Sequence, residues 1–101
     1  MKTLIFAGTL ASIFATTAAA KVIETACNRS DRQDSNRAVC GCIQDAANLT
    51  LDKSDQKLAA TFFRNPERAQ VIRQSETSRN ERFWERYEQF GVTAQEFCST
   101  G

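Results

Sequence analysis

The sequence predicts an all-α fold: a small disulfide-stapled bundle of about four short helices behind an N-terminal signal peptide. Three observations predict it. Apolar residues recur at three- and four-residue spacings, and no stretch alternates apolar with polar as a half-buried strand does. Capping residues open one segment after another. Four cysteines stand in a chain of only 101 residues, an even count of the kind that small exported domains use as a covalent frame.

The leader comes first. Met1-Lys2 supplies one positive charge, Thr3 to Phe14 is an apolar run broken only by small residues, and Ala18-x-Ala20 suits a signal peptidase. A run of about 12 residues is the size of a signal-peptide core and falls short of the roughly 20 that span a bilayer. Residues 1–20 are therefore expected to be a signal peptide cleaved after Ala20, with an uncleaved N-terminal anchor as the competing reading. Glu24-Thr25-Ala26 before Cys27 does not fit a lipobox. The expected mature chain, residues 21–101, is a single domain. It balances 12 basic (13 less Lys2) against 12 acidic residues, and nine of its cations are Arg.

Lys21 to Ala26 is too brief to assign, and Asn28 to Ser35 is polar throughout and reads as a solvated loop. A first helix is expected from Ser35 or Asn36 to Leu49, with Val39, Ile43 and Ala46 as its apolar stripe. Asp52 suits the N-cap of a second helix carrying Leu58, Ala59, Phe62 and Phe63, with Asp55 in its first turn. Asn65-Pro66-Glu67 ends that helix and opens a third, which stops between Ser75 and Ser78. Ser78 and Glu81 read as a capping box for a fourth helix bearing Phe83, Trp84, Tyr87 and Phe90, with Gly91 placed as its C′ residue. Thr93-Ala94-Gln95-Glu96 then promises one short turn before Phe97-Cys98. Because the aromatics cluster on the second and fourth helices, these two should face each other, with Trp84 serving the core first and a ligand second.

Cys27, Cys40, Cys42 and Cys98 allow three pairings. On a helix, Cys40 and Cys42 sit about 160° apart, so they point to different neighbours and cannot bridge unless the helix breaks at Gly41. The first helix should then be stapled to both ends of the chain, although spacing does not tell which cysteine takes Cys27 and which Cys98. Two other readings use the same sulfurs: a Cys40-Gly41-Cys42 redox pair, and a zinc site of four thiolates. Neither has support from a cation placed to lower a thiol pKa or from a zinc-like spacing.

Composition removes several function classes. The chain has no His, hence no imidazole base and no Cys/His metal site. It has no nucleophile elbow and no glycine-rich phosphate loop, Asp31 to Asn36 lacks the glycine and terminal Glu of a calcium loop, and no hydroxyl has a base beside it. No catalytic residue, metal ligand or cofactor is assigned. A formal charge of +1 offers no general attraction to nucleic acid, and the mature chain contains no membrane span. Asn28-Arg29-Ser30 and Asn48-Leu49-Thr50 match the glycosylation tripeptide and are taken as incidental.

The one constellation with binding chemistry lies on the fourth helix. Arg79, Arg82 and Arg86 form a stripe beside Phe83, Tyr87 and Phe90, while Glu81, Glu85 and Glu88 fall on the far side. Guanidinium groups clamp carboxylates and phosphates bidentately, so Arg79, Arg82, Arg86 and Tyr87 are the candidate ligand or partner face. Arg64, Arg68 and Arg73 could extend it. The plainer reading is a solvated face whose cations rest on ring surfaces.

Cys27-Asn28-Arg29-Ser30-Asp31-Arg32 and Cys40-Gly41-Cys42-Ile43-Gln44 belong to a longer pattern. It continues through Ser54-Asp55-Gln56, Phe62-Phe63, Asn65-Pro66, Ala69-Gln70 and Arg73-Gln74-Ser75, then Phe83-Trp84, Arg86-Tyr87, Phe90-Gly91 and Cys98. Together these residues resemble a group of small exported alphaproteobacterial proteins that often carry the label "arginine transporter". The resemblance covers most of the mature chain and implies the periplasm of a Gram-negative bacterium. It carries over no catalytic or ligand residue. A permease needs spanning elements, which the mature chain lacks, so the label can mean a soluble accessory at most, and one without the two-lobed cleft of a binding protein.

Three functions follow as expectations. The first is a non-catalytic interaction module that presents helix surfaces to a protein or envelope partner in the periplasm or outside the cell. The second is a stress or acid holdase chaperone, suggested by size, disulfides and many carboxylates. The third is a soluble accessory that holds a small anion or amino acid at Arg79, Arg82 and Arg86.

Overall fold

The computed structural model describes residues 21–30 and 36–99, and both the expected signal peptide and residues 31–35 of the expected polar loop lie outside them. The described residues form five helices and no strand: α1 (Val22–Asn28), α2 (Arg37–Thr50), α3 (Lys53–Arg64), α4 (Pro66–Arg73) and α5 (Ser78–Cys98). The all-α, disulfide-stapled bundle expected from periodicity and cysteine count is what forms. No described helix is long and apolar enough to cross a membrane.

The segment too short to assign, Lys21 to Ala26, is helical. Its N-cap residue, Lys21, makes no side-chain cap. The missing acceptor comes from α2 instead, where Gln44 Oε1 accepts the backbone N–H groups of Ile23 (2.8 Å) and Glu24 (2.9 Å). Ile23 is 0% exposed and Cys27 one turn later is also buried, so α1 is held by one apolar anchor, one borrowed cap and one sulfur. A helix of seven residues would not persist alone in water.

α2 begins where expected, with Asn36 Oδ1 accepting from Val39 N at 2.9 Å. Its buried face is turned from the expected stripe: Cys40, Gln44, Ala46 and Ala47 are inside, while Val39 and Ile43 are half-buried. α2 packs against α1 on one side and α5 on the other, so a wider arc of it is covered than an amphipathic surface helix needs. Helix α3 follows the expectation closely. Asp52 Oδ1 accepts from Asp55 N (2.8 Å), and Ala59 and Phe62 are buried. α4 has Pro66 at its start and buries no residue fully. Its Ala69 and Ile72 lean on the core from outside.

α5 departs from expectation at both ends. The cap is Thr77, whose Oγ1 accepts from Asn80 N at 3.2 Å, rather than Ser78 with Glu81. Ser75 Oγ supports the same corner through Asn80 Nδ2 (2.9 Å), which favours the earlier start. Gly91 does not end the helix. Phe83, Tyr87, Phe90, Ala94 and Cys98 continue one inward stripe straight through it, and the last of these is covalently held. Packing along that stripe outweighs the roughly 1 kcal/mol that a helical glycine costs.

The core joins α3 to α5 through aromatic rings, as their distribution predicts. Phe62 meets Phe83 and Tyr87 edge-on at 6.1 and 5.2 Å, and Tyr87 also touches Trp84 and Phe90. Trp84 sits at the rim of this cluster, half-buried, with its indole N–H donating to Glu88 (3.1 Å).

Two staples close the fold: Cys27 with Cys40, and Cys42 with Cys98. α2 runs unbroken through Gly41, so its two cysteines leave from opposite flanks and tie the helix to both ends of the domain. This resolves the pairing that spacing left open, and it leaves no free thiol for a redox pair or a thiolate zinc site. Such a frame belongs to an oxidising, extracytoplasmic environment.

Candidate functional site

The expected arginine stripe on α5 is divided by the fold. Arg86 turns inward to Asp55 on α3, with Nε to Oδ2 at 2.6 Å and Nη2 to Oδ1 at 3.0 Å. The Asp55 side chain is 7% exposed and that of Arg86 is 45% exposed, so a nearly buried carboxylate is held by a cation at the surface. The guanidinium pKa is raised, chiefly because it donates to Asp55. Next to this pair Asp52, whose carboxylate accepts the Asp55 N–H, has a lowered pKa for that reason above all. A bidentate hold of this kind occupies the fork that a ligand would need.

Tyr87, the aromatic member of the expected face, lies half-buried among Phe62, Phe83, Trp84 and Phe90. Arg79 lines a cavity of about 440 Å³ between α3 and α5, in company with Asp52, Asp55 and Arg86. That cavity holds two acids for two cations, so it has no net attraction for an anion. Arg82 is exposed and does not line it. Of the additional cations, Arg68 and Arg73 are exposed on α4. Only Arg64 meets a different cavity, described below.

A second polar cluster is buried where periodicity expects only apolar side chains. Gln44 Nε2 donates to Asn48 Oδ1 (2.9 Å) and Gln56 Oε1 (2.8 Å), and Gln56 Nε2 donates to the carbonyls of Ala47 and Leu51. With the two α1 amides on Gln44 Oε1, this network joins α1, α2 and α3 and pairs the buried amides of Gln44 and Gln56, so it holds the fold.

The cation-rich surface lies elsewhere, between α1 and α3. Val22, Thr25, Ala26 and Arg29 of α1 and its C-cap face Lys57, Ala60, Thr61 and Arg64 of α3 across a groove of about 410 Å³. Both sets are spaced i, i+3, i+4, i+7, one stripe from each helix. An adjoining hollow of about 400 Å³ is lined by Ala26, Arg29 and Ser30 with Phe63, Arg64 and Asn65, so the C-terminal ends of the two helices lie together. No Asp or Glu lines either hollow among the described residues. Sequence reading missed this surface because α1 carries no cap of its own. The one signal was Lys57 and Arg64, two turns apart on a helix that was recognised.

Comparison with protein families, with curated proteins and with solved structures finds no match to this chain.

Proposed function

We propose that this chain is a non-catalytic interaction module of the periplasm or the extracellular space, released there by cleavage after Ala20. The observation that carries the reading is how the reactive groups are used. All four sulfurs are in staples, the buried carboxylate Asp55 is held by Arg86, and the buried amides Gln44 and Gln56 bond to one another. What faces outward is helix surface on a fastened scaffold. The two disulfides and the resemblance to exported alphaproteobacterial proteins support the compartment. Site-specific photo-crosslinking of the exported chain in its own cells tests the role. Discrete, ultraviolet-dependent adducts are expected, and only diffuse background across growth conditions overturns the reading.

A holdase chaperone is the second reading. Leu49, Val71, Val92 and Phe97 are large apolar side chains open to solvent, Phe97 at 70% exposure. A holdase should suppress client aggregation at low pH and lose that ability in Val71→Ser with Phe97→Ser. Unsuppressed light scattering removes it.

A further inference from the structure

Resting on the module reading and naming its partner's chemistry, we infer that the groove between α1 and α3 receives an acidic helical segment of a partner protein. Three cations, Arg29, Lys57 and Arg64, stand round a floor of Val22, Ala26 and Ala60, with no Asp or Glu lining it among the described residues. All three cations are exposed, while the floor residues are half-buried. An occupant must therefore combine negative charge with small apolar contacts.

The spacing of the cations selects among such occupants. Lys57 and Arg64 are seven residues apart on α3, which places them about 10 Å from each other along the axis. Arg29 joins Arg64 at the far end. A single phosphate or carboxylate reaches one end only. A helix with two acidic residues seven positions apart reaches both and lays the turn between them on the apolar floor, as grooves that take amphipathic helices do. Small side chains at Ala26 and Ala60 let its backbone approach. Exposed cations of this sort act on encounter rate and on choice of partner, so salt should weaken the complex.

The experiment uses the oxidised exported chain and fluorescein-labelled Ala- and Leu-rich helical peptides of about fourteen residues, read by anisotropy at low ionic strength. One peptide carries two Glu seven positions apart, a second has them adjacent, and a third has Gln in both places. The first should bind best, with affinity falling about tenfold or more in Lys57→Glu and in Arg64→Glu and unchanged in Arg82→Glu. Melting curves and non-reduced mass confirm that each variant is folded and stapled. Absence of peptide binding overturns the inference. So does equal affinity for spaced and adjacent Glu, or indifference to the charge reversals. Binding of anionic lipid vesicles in preference to the peptide also overturns it. Should the groove fail while crosslinking still yields discrete adducts, the module reading stands on another surface. Peptide binding without adducts overturns the module reading and, with it, the assignment of the groove to a partner protein.

Discussion

Gln44 is the residue on which the N-terminal half turns. Its carbonyl oxygen caps a helix 20 residues upstream and its amide reaches Asn48 and Gln56. Gln44→Ala leaves two α1 amides without a partner in a buried place and should cost about 1–3 kcal/mol. Hydrogen exchange should then rise first in Ile23 to Cys27, and uniform protection in the variant would refute this assignment. The two helical glycines predict the opposite sign. A Cβ at Gly91 meets nothing within 4 Å, and one at Gly41 meets only Glu24 Oε2 at 3.8 Å. Gly91→Ala should raise stability by about 1 kcal/mol and Gly41→Ala by a little less, measured by urea melts with unchanged slope. These effects separate what single residues reveal in a sequence from what they do not. A glycine beyond an aromatic run looks like a stop until the cysteine seven residues on is known to be bound. A mid-helix glutamine looks solvated until its neighbours are known.

At the scale of elements, three joints with local capping chemistry were legible, a fourth was placed one residue late because Thr77 and not Ser78 caps α5, and those made by distant residues were not. Asp52, Asn36 and Pro66 act within a few residues of themselves, so α2, α3 and α4 start where their residues say. α1 depends on a partner far along the chain, and no local pattern announces it. The joint between α3 and α5 makes two predictions. Replacing Asp52 with Ala removes the cap and should cost about 1 kcal/mol at neutral pH. Because the folded pKa of Asp52 is lowered, its contribution is complete above the ordinary aspartate value and fades as pH falls through the lower folded one. The stability gap between wild type and Asp52→Ala should thus close on acidification below about pH 4, and a gap that widens instead would contradict the cap. Arg86→Ala strands Asp55 nearly buried. With the arginine half open to water the loss should lie near about 1–3 kcal/mol, and Asp55→Asn with Arg86→Ala should recover part of it. Of the face expected on α5, this joint and the ring cluster take Arg86 and Tyr87, which spacing on one helix cannot disclose.

For the whole molecule, the staples matter more than any single contact. The Cys27–Cys40 link closes a separation of 13 residues and Cys42–Cys98 one of 56. On loop-closure grounds these stabilise by about 3 and about 4 kcal/mol respectively, a large share of what a domain this small retains. Replacing Cys42 and Cys98 together with Ala should lower the melting temperature more than replacing Cys27 and Cys40, and scanning calorimetry decides the order. The fold class and the double tethering of α2 were readable, since helix periodicity and the C-x-C spacing are local. The groove between α1 and α3 was not, because it joins stripes from two helices and only one of them could be recognised.

Counted in the order in which the ribosome makes them, the cysteines pair first with second and third with fourth. An oxidant that couples each emerging thiol to the one left waiting therefore arrives at the native bonds without a reshuffling catalyst. Of the two early errors within reach, joining the second to the third is resisted as soon as their shared helix winds, and joining the first to the third must displace a partner that emerged two residues earlier.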